Sequence, residues 1–254
     1  MDLGLAGRVY VVSGGSRGLG RAAAEVLVGE GAQVVLGARD EAGVERAAQE
    51  LGGRGHAVGV VADLAEAATP QRLVEAAHAA YGGLDGALIS VGGPPSGAAM
   101  EVDEQAWRAA FESVFLGALR LARRVAGALG PDGGSIALVL SSSVRSPIPG
   151  LAVSNALRPG LAGLAKTLAD ELGPRGVRVN GLLPGRIATD RTVELDAETG
   201  DAEAARASRE ATIPLRRYGE PAELGRVAAF LLSPAASYVS GVMLPVDGGA
   251  LRAL

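Results

Sequence analysis

The stretch Val11-Val12-Ser13-Gly14-Gly15-Ser16-Arg17-Gly18-Leu19-Gly20 decides the fold. A β-rich apolar run, Arg8–Ser13, feeds a glycine-rich turn, and a helical pattern near Leu19–Gly29 follows it. Glycine lets the main chain turn sharply and approach a ligand closely. The helix that opens there offers free N–H groups and a partial positive charge, which together suit a pyrophosphate. The spacing alone is weak evidence in a chain with 38 glycines. A strand before it and a helix after it make it specific.

Outward from that turn, short apolar runs alternate with helical patterns. Strands are expected at Gln33–Gly37, His56–Val61, Leu84–Ser90, Ser135–Leu140, Val177–Leu182 and Val242–Val246. Helices are expected near Glu41–Leu51, Pro70–Tyr81, Asp103–Leu129, Ser154–Leu172 and Pro221–Leu232. This rhythm describes an α/β fold of the Rossmann type, a single doubly wound domain over residues 1–254 with about seven parallel strands and helices on both faces. The segment Thr189–Ile213, rich in Glu, Asp, Arg and Ala, breaks the rhythm. Two readings stay open for it: a solvated helical excursion, or a substrate lid over residues 189–218 at the carboxyl ends of the strands.

Composition narrows the function classes. The 254 residues are 48% hydrophobic and 3% aromatic, so the core is built from Ala, Val and Leu. A net charge of −4 gives no basic face for nucleic acid or an anionic membrane. Absence of cysteine excludes disulfides and thiolate chemistry. His56 and His78 lack the acidic neighbours of a metal site, so no metal is expected. No signal core or apolar run of about 20 residues is present, which leads to the expectation of a soluble, cytoplasmic protein.

The glycine turn, with Asp63-Leu64, Ser90-Val91-Gly92-Gly93-Pro94 and Pro184-Gly185-Arg186-Ile187-Ala188-Thr189, resembles the short-chain dehydrogenase/reductase family from Leu5 to Gly249. The resemblance implies a nicotinamide dinucleotide cofactor. Its contacts would come from Gly14, Ser16, Arg17, Gly18, Leu19 and Gly20 at the pyrophosphate, and from Asp63 and Leu64 at the adenine. Ser90 and Gly92 would follow the fourth strand, and Pro184, Gly185, Ile187 and Thr189 would lie at the nicotinamide carboxamide. The second strand ends in Gly37-Ala38-Arg39, with Ala38 where the family's NAD enzymes place Asp. Arg39 and Arg17 suit a 2′-phosphate, so NADP(H) is expected ahead of NAD(H), although two solvated arginines would look the same.

The family carries its proton transfer on Tyr-x-x-x-Lys. Counting back from Arg178-Val179-Asn180, Ser154 stands at the Tyr position and Arg158 at the Lys position. Ser141, thirteen residues before Ser154, matches the family's carbonyl-binding Ser, and Val114 falls at the relay Asn. A serine hydroxyl is a far poorer acid than a tuned phenol, and a guanidinium is a poor proton shuttle. Arg158 can still bind the nicotinamide ribose and oppose an oxyanion. Asn155 could donate to a carbonyl and Tyr218 could line the substrate mouth, but a helix-surface amide and a packing residue at a turn are the favoured readings of the two.

The pattern is similar to a branch that resembles 3-oxoacyl-(acyl carrier protein) reductases. It implies an NADP(H)-dependent oxidoreductase acting on a carbonyl or hydroxyl group of a small molecule with an atypical proton donor, assembled as a homotetramer or dimer. The competing reading is a nucleotide-binding sensor or partner subunit with little catalysis. A methyltransferase is disfavoured by the Pro184-Gly185 loop.

Overall fold

Val9–Ser13 (β1) is buried along its whole length, as a strand covered on both faces by helices must be. A computed structural model describes residues 2–253. The glycine turn leads into α1 (Gly18–Gly29), and β2 (Gln33–Ala38), α2 (Glu41–Glu50), β3 (Ala57–Val61) and α3 (Thr69–Tyr81) follow. Next come β4 (Gly86–Ser90), α4 (Glu104–Ala110) and α5 (Gly117–Ala128), then β5 (Gly134–Val139), α6 (Ala152–Leu172) and β6 (Val177–Pro184). The chain continues through α7 (Asp190–Ala197), α8 (Ala202–Thr212) and α9 (Pro221–Leu232) to β7 (Met243–Val246).

All seven strands are parallel, in the order β3-β2-β1-β4-β5-β6-β7. This is the expected doubly wound sheet, and its strand order reverses between β1 and β4. Ligands of such sheets bind at that switch point, outside the carboxyl ends of the strands.

Alternation within each strand builds a core on each face. Val9, Val11, Ile89 and Leu138 pack with α3, α5 and α6, while Tyr10, Val12, Leu88 and Val139 pack with α1, α2 and α9. At roughly 25 cal/mol per Å² of apolar surface, these two layers are the main stabilising term.

Two expected elements are modified. The single helix expected over Asp103–Leu129 is interrupted by a π-helical segment, Phe111–Leu116, which contains Val114. The 189–213 excursion is two helices, α7 and α8. Its ends are tied together where Ala188 N donates to Gly219 O at 2.8 Å and Gly219 N to Arg186 O at 2.9 Å.

Candidate active site

The cleft begins where β1 meets β4. Ser13 Oγ donates to Ser90 O (2.9 Å) and accepts from Ser90 N (3.0 Å), locking the two strand ends at the switch point. Gly14, at φ +63°, lies so close to β4 that a Cβ there would sit 2.8 Å from Ser90 O. Gly20 is the packing glycine of the turn: a Cβ on it would lie 2.3 Å from Gly14 O, which explains why it is buried rather than facing the ligand space.

From here a cleft of about 1760 Å³ runs along the carboxyl ends of the strands. Of the residues singled out from the sequence, Gly14, Ser16, Arg17, Gly18, Leu19, Arg39, Asp63, Leu64, Ser90 and Gly92 line its first half. Ser141, Arg158, Pro184, Gly185, Ile187 and Thr189 line its second half. Gly20 and Ser154 are not among the lining residues.

At the β2 end the chain offers cations without matching acids. Arg17, Arg39 and Arg46 are exposed and face the cleft, with no ion pair among the described residues. Asp40 is the neighbouring acid, and its side chain is occupied: Oδ2 accepts from Gly43 N at 3.0 Å and caps α2. This corner therefore has the charge and the guanidinium geometry for a phosphate, and the glycine turn leaves the main chain open beside it.

The β5 end is arranged differently. Ser141 Oγ caps the short turn Ser142–Val144 by accepting from Ser143 N at 3.0 Å, and it borders the cleft. Ser154 is buried, with its Oγ 3.5 Å from Ser143 Oγ. The hydroxyl at the family's Tyr position thus reaches a second serine instead of the cleft. Asn155 is engaged as well: Oδ1 accepts from Ile148 N (3.0 Å) and Nδ2 donates to Ile148 O (2.8 Å), clamping the loop before α6.

Arg158 is 6% exposed, and it donates from one terminal nitrogen to Val139 O at 2.5 Å. Its Nε has no partner among the described residues. Burial pulls the guanidinium down to about 10, so it stays charged at neutral pH.

Above this end lies a cluster with no local signature in the sequence. Asp196 of α7 is 4% exposed, pairs with Arg209 of α8 and lies 4.0 Å from Arg186. Tyr218 donates to its Oδ2 at 3.0 Å. Arg186, Arg191 and Arg209 line the cleft, whereas Tyr218 is buried behind it as a support for Asp196. One acid among many in a charge-rich segment gives no signal of burial, because its partners lie 10 to 22 residues away.

A doubly wound sheet whose glycine turn and strand ends share one cleft defines a dinucleotide-binding α/β protein. A family model described as enoyl-(acyl carrier protein) reductase matches residues 14–250. The human dehydrogenase/reductase SDR family member 4 is 36% identical over 251 residues, covering 96% of this chain and 88% of that protein. The 3-oxoacyl-[acyl-carrier-protein] reductase FabG of Vibrio cholerae is 32% identical over 248 residues, with coverages of 97% and 98%. Among solved structures, L-sorbose reductase from Gluconobacter frateurii, complexed with NADPH and L-sorbose, superposes with a TM-score of 0.94 at 31% identity over 100% of both chains. The chain belongs to the short-chain dehydrogenase/reductase family of oxidoreductases.

Proposed function

We propose that the protein is an NADP(H)-dependent oxidoreductase acting on a carbonyl or hydroxyl group of a small molecule, with a proton-transfer apparatus unlike the family's usual one. The observation that carries this reading is one cleft holding unpaired Arg17 and Arg39 at the β2 end and Ser141 with Arg158 at the β5 end. The solved relative with NADPH bound supports the choice of nucleotide.

When bound, the reduced nicotinamide supplies a hydride. Arg17 and Arg39 would hold the 2′-phosphate, and the Gly14–Gly20 turn with the start of α1 would hold the pyrophosphate. Ile187 and Thr189, which line the cleft, would receive the carboxamide. Ser141 Oγ and the Arg158 guanidinium oppose the charge that develops on the substrate oxygen. No Tyr, His or Lys is among the residues lining the cleft, so the proton reaches that oxygen from water. Segment 189–218 covers the substrate end as a lid, anchored at the Ile187–Gly219 bridge.

Titration with NADPH and NADH, followed by a carbonyl panel, tests the proposal. NADPH is expected to bind more tightly than NADH. Arg39→Ala should weaken NADPH binding by about tenfold or more, as expected for a charge-assisted phosphate contact, and leave NADH nearly unchanged. Equal losses for both nucleotides would show that Arg39 does not read the 2′-phosphate. Nucleotide binding without turnover of any carbonyl would favour a sensor or partner subunit, the role left to a fold that binds nucleotide but lacks a phenolic acid.

A further inference from the structure

One face of α2 borders the cleft beyond the end of β2. Gly43, Arg46, Ala47 and Glu50 line it at the spacing of a helical stripe. Arg46 stands one turn past Gly43, so the stripe carries no side chain between Arg46 and Arg39 at the strand end. The guanidinium groups of Arg17, Arg39 and Arg46 thus border one corner of the cleft.

Arg46 has a carboxylate available within its own helix. Glu50 is the one acid three or four residues from it, the spacing at which helical ion pairs form. That carboxylate goes elsewhere: Glu50 lies 3.2 Å from Arg21 of α1. Arg21 is held in turn, since its Nε donates to Glu25 at 2.9 Å and a terminal nitrogen donates to Ala47 O at 2.8 Å. Asp40, the other acid at this end of the cleft, is spent on the cap of α2. Among the described residues, no carboxylate lies within 4.0 Å of Arg17, Arg39 or Arg46.

We propose that Arg46 is a third ligand of the nucleotide's 2′-phosphate, and that Arg21 is a positioning residue that keeps Arg46 free by holding Glu50 aside. This rests on the NADP(H) reading above. A phosphate monoester carries a charge of about −1.5 to −2 at neutral pH and three terminal acceptor oxygens. The glycine turn, the strand end and the α2 face each contribute one guanidinium, a cationic donor for each oxygen. NAD(H) offers a neutral hydroxyl at that place and gains little from Arg46. The side chain therefore adds to the difference between the two nucleotides rather than to affinity for both. Without Arg21, Glu50 is free to pair with Arg46 and to bring a negative charge towards the phosphate.

Calorimetric titration of the full-length protein with adenosine 2′,5′-bisphosphate and with 5′-AMP isolates the 2′-phosphate. The bisphosphate is expected to bind more tightly. Arg46→Ala should cut that preference by about tenfold while 5′-AMP binds as before, and Arg46→Lys should retain part of it. Arg21→Gln should lower the same preference several-fold, and adding Glu50→Gln should restore it. Unchanged affinity for the bisphosphate in Arg46→Ala, or an equal loss for both ligands, overturns the role of Arg46. A loss in Arg21→Gln that Glu50→Gln does not recover overturns the positioning role. A selective loss in Arg39→Ala with none in Arg46→Ala overturns the inference and leaves the NADP(H) reading intact. Equal binding of the two ligands by the parent protein removes both.

Discussion

Arg158 shows how a single side chain sets stability against function. Its guanidinium is held down to about 10 by burial, a drop that corresponds to about 3 kcal/mol of destabilisation. Replacing it with an apolar chain of similar length removes that cost but strands Val139 O, at about 1 kcal/mol. Arg158→Met is therefore expected to stabilise the nucleotide-free protein by roughly 1–2 kcal/mol, raising Tm by about 2–8 °C in a chain of this size. Because the folded pKa lies below the unfolded one, the cost is fully present below pH 10 and fades as pH rises above 10. The gain of the variant should fade over the same interval, and a lower Tm in thermal unfolding at neutral pH would refute the account. Ser154 makes the complementary case. Its hydroxyl is spent on Ser143, so Ser154→Tyr with Arg158→Lys would bring a phenol and an amine to the cleft at once. Turnover of neutral carbonyls should rise by at least about tenfold, given the 10²–10⁴ that a positioned general acid contributes. A fall would mean that the ring fills space the substrate uses.

Among the elements, α7 and α8 are the least tied to the sheet, and one carboxylate organises them. Asp196 joins α7 to α8 through Arg209, to the chain before α7 through Arg186, and to the chain after α8 through Tyr218. Arg206 of α8 adds a contact over the Tyr218 ring, 5.0 Å from its centroid. Asp196→Asn keeps the shape and removes the charge, leaving two cations facing each other. The arginines left behind are partly exposed, so the loss is about 1–3 kcal/mol, enough to loosen a segment with few contacts to the sheet. Hydrogen exchange should accelerate across Asp190–Thr212 while β1, β4 and β5 keep their protection. Unchanged protection across these two helices would show that packing, not this charge, holds α7 against α8. The π-helical segment before α5 belongs to this scale too. It places Ser113 and Val114 on the cleft wall of the opposite helical layer.

At the scale of the whole molecule, one face is left incompletely covered. Phe111 is 43% exposed and stacks on Phe115 at 5.2 Å, and Phe115 lies against Gly160 of α6. Every residue of β7, the last strand of the sheet, is only partly buried. Small residues along α5 and α6 allow the close approach of another helix pair. A dimer or tetramer joined through these surfaces is expected in sedimentation velocity at micromolar concentration, and Phe111→Glu should shift it towards monomer. A monomeric parent chain would contradict the expectation.

The sequence by itself determined the sheet and the glycine turn, because both are written in short-range patterns. Each apolar run with its flanking glycine allows one period and one place in a βαβ rhythm, and strand and helix bounds agree to within a few residues of their expected places. Ser141 and Arg158 were legible only through the resemblance to the family's motif, whereas the strand-end glycines followed from the local pattern, since strand ends converge on one side of a parallel sheet. Side-chain direction was not legible. Whether Ser154 faces the cleft or Ser143, and whether Asn155 binds a ligand or Ile148, depend on the partner nearest in space. The interruption at Phe111–Leu116 and the burial of Asp196 were hidden for the same reason. Only tertiary structure decided these, because a polar group's preferred partner is fixed by what desolvates it, and in this chain the desolvating elements come from distant segments.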